Sequence, residues 1–89
     1  MLRIIKPSIK MYKIISTYKD NTTTRTECVG MKGTMMEAVR EARKIGHKEA
    51  DRKTATTGNI SGGILLSGNG WTKTYTVVER QLPEYLIKR

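Results

Sequence analysis

The chain contains no phenylalanine, one histidine and one cysteine, and each scarcity removes a class of explanation. A lone Cys28 cannot close an intramolecular disulfide, so nothing points to a cross-linked secreted scaffold and a reducing, cytoplasmic setting is expected. His47 is part of no His/Cys metal spacing, no close carboxylate pair presents itself, and His47 has no obvious nucleophile to activate. The glycine-rich stretch 58–70 matches neither G-x-x-x-x-G-K-[ST] nor G-x-G-x-x-G, so no phosphate loop is read there. The expectation is a protein that is not an enzyme, with no metal and no cofactor.

Long apolar runs are missing too. No segment approaches the roughly 20 apolar residues that span a bilayer. The first fifteen residues mix isoleucine with lysine and break at Pro7, unlike the uninterrupted apolar core of a signal peptide. With 89 residues and 18 Leu, Ile and Val side chains, there is room for one domain and one small core. So lean a core leaves scope for stabilisation by a partner or by homo-oligomerisation.

What the chain has in excess is positive charge: 17 Lys and Arg stand against 8 Asp and Glu, a formal net charge of +9. The surplus is uneven. Residues 1–19 carry Arg3, Lys6, Lys10, Lys13 and Lys19 without any acid, residues 20–37 are nearly neutral, and residues 54–72 hold no charged side chain. A second basic cluster, Lys48, Arg52 and Lys53, follows Gly46. A small body with such a field attracts polyanions such as nucleic acid or, alternatively, an acidic protein surface.

Hydrophobic patterning argues for an ordered fold. Residues 11–19 alternate as a strand, with Tyr12, Ile14, Ser16 and Tyr18 on one side and Met11, Lys13, Ile15 and Thr17 on the other. Lys19, Asp20, Asn21 and Thr22 supply a turn, and residues 22–29 return as a strand near the sheet edge, rich in β-branched but poor in bulky apolar residues. Thr34 and Glu37 form a T-x-x-E capping box that opens a helix. Helical spacing places Met35, Ala38, Val39, Ala42 and Ile45 on its apolar face, and Gly46 suits the position just past its end, although residues 47–53 could continue it after a kink. Residues 60–67 are read as a third strand, Ser67-Gly68-Asn69-Gly70 as a hairpin turn, and residues 71–80 as the most regular strand of the chain.

The expected architecture is α+β: a small β-β-α-β-β domain whose antiparallel sheet carries one helix on one face. Its parts are a basic N-terminal arm at residues 1–10, the domain at 11–80 and a short C-terminal tail at 81–89. The other sheet face would be solvated or covered by a partner. This element order resembles that of several kinds of small phage-encoded accessory proteins, including some anti-CRISPR proteins, and the likeness rests on layout without a residue motif.

Four candidate features carry the functional expectation. The basic N-terminal segment could act as a phosphate-binding arm, or be a frayed terminus ahead of the domain. The cations after Gly46 could hold phosphates, while those within the helix are discounted because Glu37 can pair with Arg40 and Glu41 with Lys44. The aromatic set Tyr12, Tyr18, Trp71 and Tyr75, interleaved with Lys13, Lys19 and Lys73, could stack bases or simply fill the core, with Trp71 the ring expected to be most exposed. Two threonine rows, Thr22/Thr24/Thr26 and Thr72/Thr74/Thr76, could line one sheet face. The resulting expectation is low-specificity nucleic-acid binding, DNA or RNA, through Arg3, Lys6, Lys10, Lys13, Lys48, Arg52, Lys53, Trp71 and Lys73. The alternative is a phage-type modulator or inhibitor docking on an acidic surface of a host protein.

Overall fold

Alternation in the first half of the chain is realised as a long hairpin. In the computed structural model, which describes residues 8–83 and the side chains of residues 10–80, β1 (Ser8–Asp20) pairs antiparallel with β2 (Thr24–Lys32). Asp20 organises the turn between them, because its Oδ1 accepts hydrogen bonds from the backbone N–H groups of Thr22 and Thr23 at 2.9 and 2.7 Å. The register shifts between Ile14 and Ile15, which pair with Gly30 and Cys28, so Val29 is the extra residue of a bulge. Arg3, Lys6 and the residues after 83 lie outside the described residues, whereas Lys10 stands on β1, opposite Gln81.

The helix α1 (Met35–Lys53) opens with Thr34 as the expected N-cap, whose Oγ1 accepts from the Glu37 backbone N–H at 3.2 Å; the Glu37 side chain accepts from the Thr34 hydroxyl and not from the Thr34 backbone N–H that a reciprocal capping box would use. It does not stop near Ile45. Gly46 is a buried mid-helix residue in the series Ala38, Ala42, Gly46 and Ala50, one small side chain every four residues, and this stripe lets the helix settle against the sheet. The left-handed capping conformation falls instead on Thr54, at φ 56° and ψ 45°, whose N–H reaches back to the Ala50 carbonyl. Met35, expected on the buried face, is 45% exposed.

Three strands follow where two were expected. The segment read as one strand at 60–67 contains a turn at Ser61 and Gly62, which separates β3 (Thr56–Ile60) from β4 (Gly63–Gly68). Arg43 ties that turn to the helix, with Nε donating to the Gly63 carbonyl at 3.0 Å and Nη2 to the Ile60 carbonyl at 3.2 Å. Gly70, at φ 83°, supplies the positive dihedral of the turn from β4 into β5 (Trp71–Pro83).

All five strands form one antiparallel sheet in the order β2-β1-β5-β4-β3, with α1 on one face. The fold is therefore the expected α+β arrangement of helix on antiparallel sheet, with one additional strand. Ile14, Ile64 and Leu66 are fully buried beneath the alanine stripe, and Tyr75 joins them at 3% exposure, so this ring is core material. Among the described residues, no helix is long and apolar enough to cross a membrane.

Candidate functional site

Register and pleat assign every strand residue to the helix side or to the open side of the sheet, because directly paired residues point the same way. On the helix side lie Tyr12, Ile14, Ser16 and Tyr18 of β1, paired with Glu79, Val77, Tyr75 and Lys73 of β5. Arg25 and Glu27 of β2, opposite Tyr18 and Ser16, share that side. Facing away from the helix are Met11, Lys13, Ile15, Thr17 and Lys19, paired with Arg80, Val78, Thr76, Thr74 and Thr72. Thr24, Thr26, Cys28 and Met31 continue this open face across β2.

Charge separates between the two sides. The strand acids Asp20, Glu27 and Glu79 all belong to the helix side, since they pair with Trp71, Ser16 and Tyr12. Glu37, Glu41, Glu49 and Asp51 are on α1 itself. The open face therefore holds no acidic side chain among the described residues, and it carries Lys13, Lys19 and Arg80. Between these cations runs a hydroxyl field. Thr26, Thr17 and Thr74 form one rung across β2, β1 and β5, while Thr24, Lys19, Thr72, Ser67 and Thr56 form another across all five strands. Both expected threonine rows thus reach one face through Thr24, Thr26, Thr72, Thr74 and Thr76.

The sequence-predicted site does not gather there. Lys13 alone of its described members lies on the open face. Lys10 points to the other side and approaches Glu79 at 3.7 Å. Lys48, Arg52 and Lys53 belong to the last turns of α1 and not to a linker. Three members, Arg52, Lys53 and Lys73, converge on Glu49, with Lys53 at 3.2 Å and Lys73 at 3.5 Å from its Oε2 and Arg52 on Oε1. The expected Glu37–Arg40 and Glu41–Lys44 pairs are not among the ion pairs of the described residues, which centre on Glu49 and Glu79.

Burial opposes ionisation of Glu49, but hydrogen bonds from Arg52 and Lys53 and the charges of Lys73 and Lys53 outweigh it and hold the carboxyl below the usual glutamate range. Lys73 behaves in the complementary way: burial disfavours its charge, while Tyr75 and Glu49 overcome that and raise its pKa. The C-terminal end of a helix also favours cations, which suits Arg52 and Lys53 in its last turn.

Trp71 is half-buried within the same cluster. Its indole stacks on Tyr18 with ring centroids 6.1 Å apart, lies under the Lys53 ammonium at 5.4 Å, and occupies the space a Cβ on Gly68 would need. With Tyr18, Lys53 and Gly68 all against it, the ring is not a free stacking platform. None of Tyr12, Tyr18, Trp71 and Tyr75 reaches the open face, although Lys13 and Lys19 between them in sequence do.

Sequence reasoning missed Arg80, Arg25 and Glu49 as site members and weighed Lys19 only beside the aromatic rings. Lys19 and Arg80 were recoverable from strand parity alone, given the pairing of β1 with β5; Glu49 needed the helix to continue through Gly46. No group of three or more His, Cys, Asp and Glu side chains that could hold a metal ion occurs among the described residues. No family model, curated protein or solved structure matches the chain.

Proposed function

We propose that the protein binds nucleic acid with little sequence preference through the open face of its sheet, with phosphates held at Lys13, Lys19 and Arg80. The observation that carries this reading is the segregation of charge: every acidic side chain of the described residues lies on the helix side, so the cations of the open face act uncompensated. Lys13 and Lys19 are six residues apart on one strand, a span of about 20 Å at the usual strand rise of about 3.3 Å. That distance covers several successive phosphates. Threonine hydroxyls between them can donate to phosphate oxygens, a contact that fixes position without reading sequence.

Two further features favour backbone over base recognition. The face carries no aromatic ring among the described residues, which removes base stacking as its main attraction. A sheet of five strands spaced about 4.8 Å apart is roughly 19 Å wide, broader than the roughly 12 Å major groove, so it would lie across phosphates instead of entering the groove floor.

The test is purification of the tagged protein with and without nuclease, followed by binding of DNA and RNA at low ionic strength. Nucleic acid that co-purifies, and binding that weakens steeply with salt, are the expected results. A protein that survives nuclease treatment as the sole co-purifying partner, with no measurable binding of either nucleic acid, would replace this reading with docking on an acidic protein surface.

A further inference from the structure

On the helix side, where β1, β2 and β5 meet the end of α1, a cleft of about 170 Å³ opens between Ser16, Tyr18, Arg25, Glu27, Lys53 and Lys73. It faces away from the open sheet surface and is not used by the nucleic-acid reading. Two independent features mark it as a ligand site.

The first is a buried polar group left without a partner. Ser16 is 3% exposed, lines the cleft, and its hydroxyl makes no hydrogen bond among those of the described residues. With no protein partner, this hydroxyl is free to bond to a group that enters the cleft. The second feature is charge. Arg25, Lys53 and Lys73 border the cleft with Glu27 as the one carboxylate of its lining, and with Asp20, Glu49 and Arg52, which bond to lining residues or to each other, the surplus is one positive charge. These cations are already held in place: Glu49 fixes Lys53 and Lys73, the Tyr75 ring lies 5.2 Å from the Lys73 ammonium, and the Tyr18 ring lies 5.6 Å from the Arg25 guanidinium.

The geometry points to a binding site for a phosphate group, accepting from the Ser16 hydroxyl and lying among Arg25, Lys53 and Lys73. A phosphate monoester carries about −1.5 to −2 at neutral pH and would meet three lining cations against one lining carboxylate. Size agrees with charge. At about 170 Å³ the cleft has room for a phosphate group. The occupant is inorganic phosphate or the terminal phosphate of a larger molecule.

Trp71, the single tryptophan, sits beside Lys53 and reports on the cleft. Its emission, together with the amide resonances of Ser16 and Lys73, is followed while inorganic phosphate is added at constant ionic strength in chloride, with adenosine 5′-monophosphate and unphosphorylated adenosine as further arms. Saturable changes with phosphate and with the monophosphate, and none with adenosine, are expected; tighter binding of the monophosphate identifies the occupant as a terminal phosphate, and equal binding as the free ion. Ser16→Ala should fold at least as stably without ligand and bind phosphate about tenfold more weakly, the order of one hydrogen bond to a charged group. Arg25→Gln, a change at an exposed residue, should weaken binding as well. A response that does not saturate, one that adenosine reproduces, or one that both variants retain unchanged would overturn the proposal. Substitution of Lys13, Lys19 and Arg80 should leave the phosphate response intact, so its outcome is independent of nucleic-acid binding.

Discussion

Gly46 of α1 rests against Ile64 of β4 so closely that a Cβ built on the glycine would overlap Cγ2 of Ile64 and come within 3.3 Å of the Cδ1 atoms of Ile64 and Leu66. A residue that looks in sequence like a helix terminator is thus a point of close approach between helix and sheet. Alanine would gain about 1 kcal/mol of helix propensity at this position, but overpacking a closed core costs about 1–3 kcal/mol. Because the overlap is with a fully buried side chain, Gly46→Ala is expected to destabilise the fold by up to about 2 kcal/mol, measured as a lowered urea midpoint with unchanged slope. Ile64→Ala removes the obstructing Cγ2, so the double variant should be more stable than the sum of the two single changes.

Thr54 marks where the helix does end. A β-branched residue at φ 56° is held in the left-handed region against its own preference. Thr54→Gly should relieve about 1 kcal/mol of that strain and raise the thermal midpoint by roughly 5 °C.

These two positions show why the second half of the chain was only partly legible. Strand alternation in residues 11–19 and 71–80, the Thr34 N-cap and the Asn69-Gly70 turn are local signals, and each is realised at its expected place. Gly46 depends on Ile64, eighteen residues away, and local periodicity carries no information about that contact. β3 was hidden for a related reason. Its residues, Thr56, Thr57, Gly58, Asn59 and Ile60, are weakly apolar, and the strand is held by backbone pairing to β4 and by Arg43 at its turn. As for the site, the sequence revealed which side chains are charged but not which share a side, and pairing of β1 with both β2 and β5 decided that.

Arg43 uses two guanidinium nitrogens on two carbonyls, Gly63 and Ile60, a geometry an ammonium cannot reproduce. Arg43→Lys is expected to cost about 1–2 kcal/mol and to accelerate amide hydrogen exchange in β3 and the following turn more than in β1. Uniform loss of protection across the sheet would argue against a local clamp.

Glu49 makes stability depend on pH in a defined direction. Its carboxyl is held below the usual glutamate value, so its contribution is complete above the unfolded value of about 4.3 and fades as pH falls through the lowered folded value. Glu49→Gln should cost on the order of 1 kcal/mol at neutral pH, and the difference from wild type should shrink on acidification through that window. The raised pKa of Lys73 acts at the other end, contributing below the unfolded lysine value of about 10.4 and losing that contribution as pH rises through the folded value. Denaturant titrations of both proteins across the acid range provide the check.

The most direct test of the account compares the two sides of the sheet in one assay: the slope of log affinity for nucleic acid against log salt, for wild type and for two sets of substitutions. Replacing Lys13, Lys19 and Arg80 with glutamine should lower the magnitude of the slope by about two to three units, close to one for each phosphate that is no longer neutralised. Replacing Arg52 and Lys53, whose charges are shared with Glu49 on the helix side, should leave it nearly unchanged. The reverse pattern, with the slope collapsing for Arg52 and Lys53 and surviving for Lys13, Lys19 and Arg80, would contradict assignment of the nucleic-acid interface to the open face.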